Sequence, residues 1–249
     1  MAIRRPTPAS VPHTIDGGYD HHHRNVQGGA ARAAVFGVSD GLVSNVSLIL
    51  GVAGAHPTQG LVRIAGLAGL VGGAFSMAVG EYISMKAQGE LLEREIEIER
   101  IEIERRPDKE QQELAGLYRS RGVAESTAAE MAAEMHRDPE LALETHAREE
   151  LGVHPGSLGS PTQAAGSSFG AFAVGALAPL VPWFFTRGTV AELLSVVIAA
   201  VAAVCVGVAL SVFTGRSAVR SAVRQLLVTS VAAAVTFGIG HAVGVGAVA

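Results

Sequence analysis

The sequence has a single cysteine, Cys205, and it lies inside a run of apolar residues. A lone cysteine excludes a disulfide within the chain and a metal site built from several thiolates. The sequence also lacks a Gly-Lys-Ser/Thr phosphate loop, a His-Glu-x-x-His helix and a Glu-x-x-His pair. We therefore expect a protein that is not an enzyme and that holds no prosthetic group.

Long apolar blocks are the main feature that is present, in a chain that is 49% hydrophobic with a mean hydropathy of +0.34. A bilayer span needs about 20 consecutive, mostly apolar residues. Five windows meet that requirement: Ala33–Ala55, Val62–Gln88, Ala164–Thr186, Thr189–Phe213 and Ala222–Val248. The predicted fold class is an all-α integral membrane protein with five transmembrane helices, in contact with membrane lipid.

Acidic residues are concentrated between the second and third windows. Residues 86–154 hold 18 of the 23 acidic residues but only 10 of the 19 basic ones. Such a segment repels nucleic acid, which we exclude as a partner, and attracts cations. The predicted organisation is a tail (1–32), the first two membrane helices (33–88), an acidic helical metal-binding insert (89–156) and the last three membrane helices (157–249).

Helix signals divide the insert. Leu91–Arg106 is rich in helix formers and is predicted to continue the second span without a break. Pro107 should end that helix, with Asp108 capping the next one. Thr127 is predicted to open a further helix, and Asp138 to cap the last.

Basic residues indicate the orientation of the spans. They lie in the N-terminal tail (Arg4, Arg5, Arg24, Arg32), in the insert and after the fourth span (Arg216, Arg220, Arg224), whereas the opposite loops hold only Arg63 and Arg187. Short cytoplasmic loops are enriched in Lys and Arg. The N-terminus and insert are therefore predicted to be cytoplasmic and the C-terminus to lie across the membrane, which we expect to be a bacterial inner membrane.

Three side chains within the first two spans are candidate metal ligands. Asp40 and Met77 should reach a similar depth, and Glu81 lies one helical turn from Met77. Ionisable groups inside a bilayer are costly and usually functional. A carboxylate with a thioether suits Fe(II) better than Ca or Mg, which prefer oxygen ligands alone. The alternative is that Asp40 caps a helix and Met77 fills the core.

The insert offers a second set of candidate ligands. Glu99 with Glu102, and Glu110 with Glu113, are spaced i,i+3 on successive helices, while Glu150 follows His146 by one turn. Carboxylates at that spacing converge on metal ions when helices form a bundle. The alternative is a solvated acidic face, partly neutralised by the basic residues of the insert.

Two of these segments resemble a known family. Residues 36–45 (FGVSDGLVSN) and 75–82 (FSMAVGEY), followed by the Glu149-Glu150-Leu-Gly-Val stretch, resemble the vacuolar iron transporter family, in particular its bacterial and nodulin-like branch. The resemblance implies a dimeric exporter that exchanges cytoplasmic Fe(II) for protons. It also implies a membrane site at Asp40 and Met77 and a cytoplasmic site on Glu99, Glu102, Glu110, Glu113 and Glu150.

Two departures from the family pattern concern metal preference. Some members carry a further carboxylate where this chain has Gly69, and a methionine pair where it has His146 and Ala147. The predicted function is export of a divalent metal, Fe(II) or Mn(II), by a homodimer that exchanges it for protons. The alternative is a membrane-anchored metal sensor that binds the ion without transporting it.

Overall fold

The computed structural model describes residues 29–152 and 159–246. Most of the predicted tail (1–32) lies outside these ranges. Within them the chain forms helices, which confirms the all-α fold class. In chain order they are α1 (Gly29–Gly54), α2 (Gln59–Arg105), α3 (Pro107–Ser120), α4 (Glu125–Met135), α5 (Pro139–Glu149), α6 (Pro161–Leu180), α7 (Pro182–Phe185), α8 (Gly188–Thr214) and α9 (Ala218–Gly246).

Four helices in the described ranges are long and apolar enough to cross a membrane. They are Ala30–Gly54 of α1, Gln59–Arg105 (α2), Gly188–Thr214 (α8) and Ala218–Gly244 of α9. Large apolar side chains such as Phe36, Val201 and Ile239 are exposed on their surfaces. A helix that is apolar on its outer face suits a lipid environment.

The predicted third span, Ala164–Thr186, is not among these four helices. The structure divides it into α6 and α7, because Pro182 has no N–H with which to continue the helical hydrogen bonds. The small or polar residues Ser168 and Gly175 of α6 are buried. The face of α6 that packs against other helices meets little lipid and need not be strongly apolar. The count of five spans therefore stays a prediction.

Close contact between α1 and α6 forms the centre of the membrane-length bundle. A Cβ added at Gly41 would lie 2.2 Å from the backbone oxygen of Phe172, and one at Gly175 would lie 2.2 Å from that of Val38. Only glycine permits two helix backbones to approach this closely. The contact holds Asp40, next to Gly41, at a fixed position beside α6.

Contacts at the helix ends define the relative directions of the helices. Ser167 Oγ at the start of α6 donates to Ala30 O at the start of α1, at 2.8 Å. Leu180 near the end of α6 packs with Ile49 near the end of α1. The two helices therefore run parallel over the same depth. α2 runs the opposite way, since Arg32 of α1 contacts Glu81, well along α2.

The insert consists of the extension of α2 together with α3, α4 and α5. The continuation of α2 to Arg105 confirms that prediction. Asp138 also caps α5 as predicted, accepting a hydrogen bond from Glu140 N at 3.0 Å. Apolar clusters join α3 to α4 through Leu114 and Ala128, and α2 to α5 through Ile103 and Leu143.

Two helix starts in the insert differ from prediction. The N-cap of α3 is Arg106, and Asp108 lies inside the first turn, so its predicted capping role is wrong. Pro107 explains the shift, since proline is favoured at the first helical position. Asp108 still places negative charge near the positive end of the helix dipole. α4 begins at Glu125 and not at Thr127.

Candidate metal centres

Side chains from three helices converge in the insert. Glu99 of α2, Glu110 of α3 and His146 of α5 each offer a ligand atom, and these atoms lie within 4.8 Å of one another. The three residues are 8%, 2% and 0% exposed. We call them, with Glu150 at the end of α5, the insert centre. Carboxylates are rarely buried to this extent without a partner cation.

His146 lies between two carboxylates of the insert centre. Its Nδ1 is 2.9 Å from Glu99 Oε1 and 2.9 Å from Glu150 Oε1. Only the contact with Glu150 has hydrogen-bond geometry. No residue in the described ranges donates a hydrogen bond to Glu99 Oε1 or pairs with His146 Nε2. The centre thus contains acceptor atoms that its own side chains leave unsatisfied.

Glu110 contributes another such atom. Its Oε1 is buried and receives no hydrogen bond from the described residues. Its ion-pair partner is the exposed Lys109, whose Nζ lies 3.5 Å away. A buried acceptor without a donor costs about 1–3 kcal/mol, and more when it is charged. A bound cation would offset that penalty for both Glu99 and Glu110.

The second histidine of the insert, His136, lies beside the centre and was missed by the sequence analysis. Its ring lies 5.2 Å from that of His146, centroid to centroid. Its Nδ1 is 2.9 Å from Ala132 O, and because a carbonyl only accepts, Nδ1 carries the proton. Nε2 is buried without a partner in the described part of the chain. Metal-binding histidines commonly donate their other nitrogen in this way.

The surroundings of the insert centre shift three pKa values. Burial by itself lowers the pKa of His146, but the adjacent carboxylates of Glu99 and Glu150 outweigh burial and raise it. Burial and the Glu99 charge raise the pKa of Glu150. Burial lowers the pKa of His136, which therefore favours the neutral form that binds metals. Protons and metal ions thus compete for this centre.

The remaining predicted ligands of the insert lie outside this buried group. Glu102 lies one turn beyond Glu99, and the Glu113 side chain is 53% exposed and pairs with Lys109 at 3.5 Å. Glu149 pairs with Arg121. Further exposed carboxylates pair with arginines: Glu125 with Arg119, Glu134 with Arg137, Glu140 with Arg100 and Glu144 with Arg148. The solvated-face alternative therefore describes the surface of the insert but not its centre.

A second candidate centre lies between the membrane-length helices. A cavity of about 270 Å³ is lined by Asp40, Ser44, Asn45, Leu48, Gly69, Gly73, Ser76, Met77 and Phe172. These residues belong to α1, α2 and α6, and we call the space the α1–α2 cavity. It brings together Asp40 and Met77, two of the three ligands predicted for the membrane site. Ser44 Oγ donates to Asp40 Oδ1 at 2.8 Å, which orients the carboxylate.

Met77 and Glu81 differ in position although they are one turn apart. Met77 packs against Ala74, Phe172 and Ala176 at the cavity wall. Glu81 does not line the cavity, and its Oε1 lies 3.2 Å from Arg32 Nη2. The structure therefore places Glu81 at the end of the cavity nearer the insert, with a cationic partner that the sequence analysis did not anticipate.

Three polar residues of the cavity, Ser44, Asn45 and Ser76, were also missed by the sequence analysis. All three lie in apolar segments where an uncharged polar residue gives no strong signal. The spacing of Asn45 from Asp40 gives no indication that it faces the same cavity, because i,i+5 residues do not share one helix face. The cavity forms where α1, α2 and α6 meet, and only the packed structure shows that.

The class of protein that this fold defines is an all-α membrane protein, with side chains of the types that bind metals grouped in two places. One set lies among membrane-length helices and the other lies in a helical insert. The sequence model of the VIT family matches residues 31–241. The chain belongs to that family, and the predicted family resemblance is confirmed.

Named relatives agree with the family match. The chain is 41% identical over 170 residues to a vacuolar iron transporter of Acanthamoeba castellanii, covering 67% of the chain and 60% of that relative. It is 30% identical over 217 residues to vacuolar iron transporter 1 of Eucalyptus grandis, covering 87% of each. It is 34% identical over 217 residues to vacuolar iron transporter homolog 1 of Oryza sativa subsp. japonica, covering 84% of the chain and 71% of the relative.

Proposed function

We propose that this protein exports Fe(II), and to a lesser extent Mn(II), from the cytoplasm in exchange for protons. The observation that carries the proposal is the α1–α2 cavity, where a carboxylate and a thioether line one space between membrane-length helices. Asp40 supplies charge and Met77 supplies a soft ligand, a pair that suits a borderline divalent ion. Membership of the VIT family, and the names of its relatives, support iron as the cargo.

The insert centre would collect the metal before transport. Its buried carboxylates and histidines favour divalent cations, and the acidic surface around them raises the local cation concentration. Glu102 and Glu113 lie near Glu99 and Glu110 in the sequence. Their carboxylates would hold further ions at the edge of the insert centre. Glu81, paired with Arg32 between the insert and the cavity, would offer the ion a further carboxylate on its way to the cavity.

Proton exchange follows from the chemistry of Asp40. A carboxylate binds a metal ion only when it is deprotonated, so a proton arriving from the far side would displace the ion. The ion would leave on the side where protons are concentrated. Each cycle would return a proton to the cytoplasm, which makes a proton gradient the driving force.

The proposed topology has five spans, with α6 as the third. Because α6 runs parallel to α1 over the same depth, a membrane crossed by α1 is also crossed by α6. The insert and N-terminus would be cytoplasmic, and the C-terminus would not. The sequence predicts a bacterial inner membrane, whereas the relatives are named for the vacuole; in either membrane the metal leaves the cytoplasm. Reporter fusions at Gly156 and Ala249 should report opposite compartments.

A homodimer would shield the cavity from lipid. In the single chain Asp40 is exposed, and it also lines a second cavity together with Phe36 and Arg224. An ionised side chain that faces lipid is costly. A second copy packed over this face would remove that exposure. Light scattering of the detergent-solubilised protein should therefore give twice the 25.6 kDa of one chain after subtraction of detergent.

The decisive experiment is metal uptake into proteoliposomes with and without a pH gradient. Protein oriented with its insert outward should accumulate Fe(II) inside, faster when the interior is acidic. Mn(II) should compete, and Ca(II) should compete poorly because the proposed site includes the Met77 thioether, whereas Ca(II) prefers oxygen ligands alone. Metal binding without any uptake would favour the alternative function, a membrane-anchored sensor.

A further inference from the structure

Asn45 lies on α1 with its side chain fixed in one orientation. The residue is 1% exposed, and its amide group contacts the Ala176 O of α6 at 2.6 Å. A carbonyl oxygen only accepts hydrogen bonds, so the atom that faces Ala176 must be Nδ2. The opposite atom, Oδ1, therefore points away from α6.

Oδ1 of Asn45 is directed towards Gly69 of α2. It is buried, and no described residue donates a hydrogen bond to it. A Cβ added at Gly69 of α2 would lie 2.8 Å from it. Asn45 and Gly69 both line the cavity that contains Asp40 and Met77. Because Gly69 has no side chain, no Cβ lies between Oδ1 and α2 at the wall of that cavity.

We propose that Asn45 Oδ1 is a ligand of the transported cation, completing a site formed with Asp40 and Met77. The proposal rests on the proposed function, since it assumes that the α1–α2 cavity binds the cargo. Asn carbonyl oxygens are ordinary ligands for hard divalent cations. An unsatisfied buried acceptor is unfavourable, and a cation in the cavity would satisfy it.

A neutral oxygen ligand also suits a transport site. It adds coordination without a second negative charge, so the ion remains able to leave when Asp40 is protonated. It balances the soft Met77 thioether with a hard donor. Asn45 should therefore favour Mn(II) relative to Fe(II), whereas Met77 should favour Fe(II) relative to Mn(II).

A purely structural role makes a different prediction. In that case Asn45 acts only through Nδ2, which joins α1 to α6. Asn45→Asp removes this donor but keeps an oxygen at the Oδ1 position, whereas Asn45→Ala removes both. The two substitutions therefore separate the ligand role from the structural role.

The experiment measures uptake of Fe(II) and Mn(II) into proteoliposomes by the full-length variants. Under the ligand role, Asn45→Ala should raise the KM for Mn(II) at least tenfold and that for Fe(II) less. Asn45→Asp should keep both KM values near or below those of the wild type and slow release, which lowers kcat. Ser47→Ala is the matched control, since Ser47 Oγ is also buried without a described partner on α1 but lines a different cavity. It should leave the Mn(II)/Fe(II) ratio unchanged.

Different outcomes would overturn the ligand role of Asn45 and the proposed function. Equal impairment by Asn45→Ala and Asn45→Asp, with an unchanged metal ratio and a lowered melting temperature, would overturn the ligand role. Wild-type KM values in Asn45→Ala would do the same. Failure of the wild-type protein to transport any of the metals would instead overturn the proposed function on which the inference rests.

Discussion

His146 Nδ1 lies 2.9 Å from Glu99 Oε1, yet these two atoms form no hydrogen bond. Nδ1 carries at most one proton, and its hydrogen bond goes to Glu150. A buried carboxylate oxygen thus lies beside a nitrogen that has no proton to offer it. This arrangement is unfavourable in the isolated chain and favourable around a metal ion. Glu99 belongs to α2 and His146 to α5, so a metal ion bound between them should also stabilise the insert.

Replacement of Glu99 should weaken metal binding by the insert. Glu99→Gln keeps the size of the side chain but removes the charge and one oxygen ligand. We expect at least a tenfold loss of Co(II) affinity, since loss of a buried charged partner costs about 2–5 kcal/mol. Calorimetry on the detergent-solubilised full-length protein measures it. Glu144→Gln, an exposed carboxylate paired with Arg148, is the control and should bind normally. Equal losses in both variants would favour a diffuse acidic surface.

The metal-free insert should lose stability as the pH rises. The pKa of His146 is raised in the fold, so its contribution to stability is full below the ordinary value of about 6.5 and is lost as the pH rises through the raised pKa. Metal displaces that proton, so the increase in melting temperature caused by Co(II) should grow from pH 5.5 to pH 8. His146→Gln should flatten this trend. If Co(II) raised the melting temperature by the same amount at every pH, this would contradict the competition between protons and metal.

Substitution of Gly175 should disrupt the contact between α1 and α6. In Gly175→Ala the new Cβ would lie 2.2 Å from Val38 O, and a backbone atom cannot move aside cheaply. We expect a destabilisation of about 1–3 kcal/mol, seen as a lower melting temperature. Gly170→Ala on the same helix is the control, because nothing lies within 4 Å of its Cβ. The control should be neutral or slightly stabilising, since alanine favours helix.

Much of the fold could be predicted from local signals in the sequence. The apolar windows gave the membrane-length helices, Pro107 gave the break after α2, and Asp138 gave the start of α5. The third span was harder to predict, because one face of α6 packs against other helices and is rich in small residues. The hydropathy of α6 is lowered by residues that contact other helices, and the sequence does not show which helices pack together.

The candidate sites could be predicted in part. Asp40, Met77 and the glutamates stood out because charge and sulfur are unusual in their segments. Asn45 and His136 did not, because their importance comes from one atom fixed by a backbone carbonyl and another left unsatisfied. The pairing of Glu81 with Arg32 joins residues 49 positions apart, and no local pattern indicates it.

Met77 should control selectivity more than turnover. Met77→Ala removes the thioether of the cavity, so it should raise the KM for Fe(II) more than that for Mn(II). The cavity left behind will also lower stability by about 2–5 kcal/mol at most, which a melting curve measures separately. Met77→Leu fills the space without sulfur and should reproduce the change in selectivity. Restoration of the wild-type ratio by leucine would show that Met77 acts only by packing.

The most direct test of the account is Fe(II) uptake by Asp40→Asn in proteoliposomes with an acidic interior. This substitution keeps the size of the side chain and a hydrogen-bond acceptor for Ser44, but removes the charge and the titratable group. We predict that uptake falls to the background of protein-free vesicles, while insertion, melting temperature and metal binding by the insert stay as in the wild type. Uptake by Asp40→Asn at near the wild-type rate would contradict the membrane site and the proposed exchange of metal for protons.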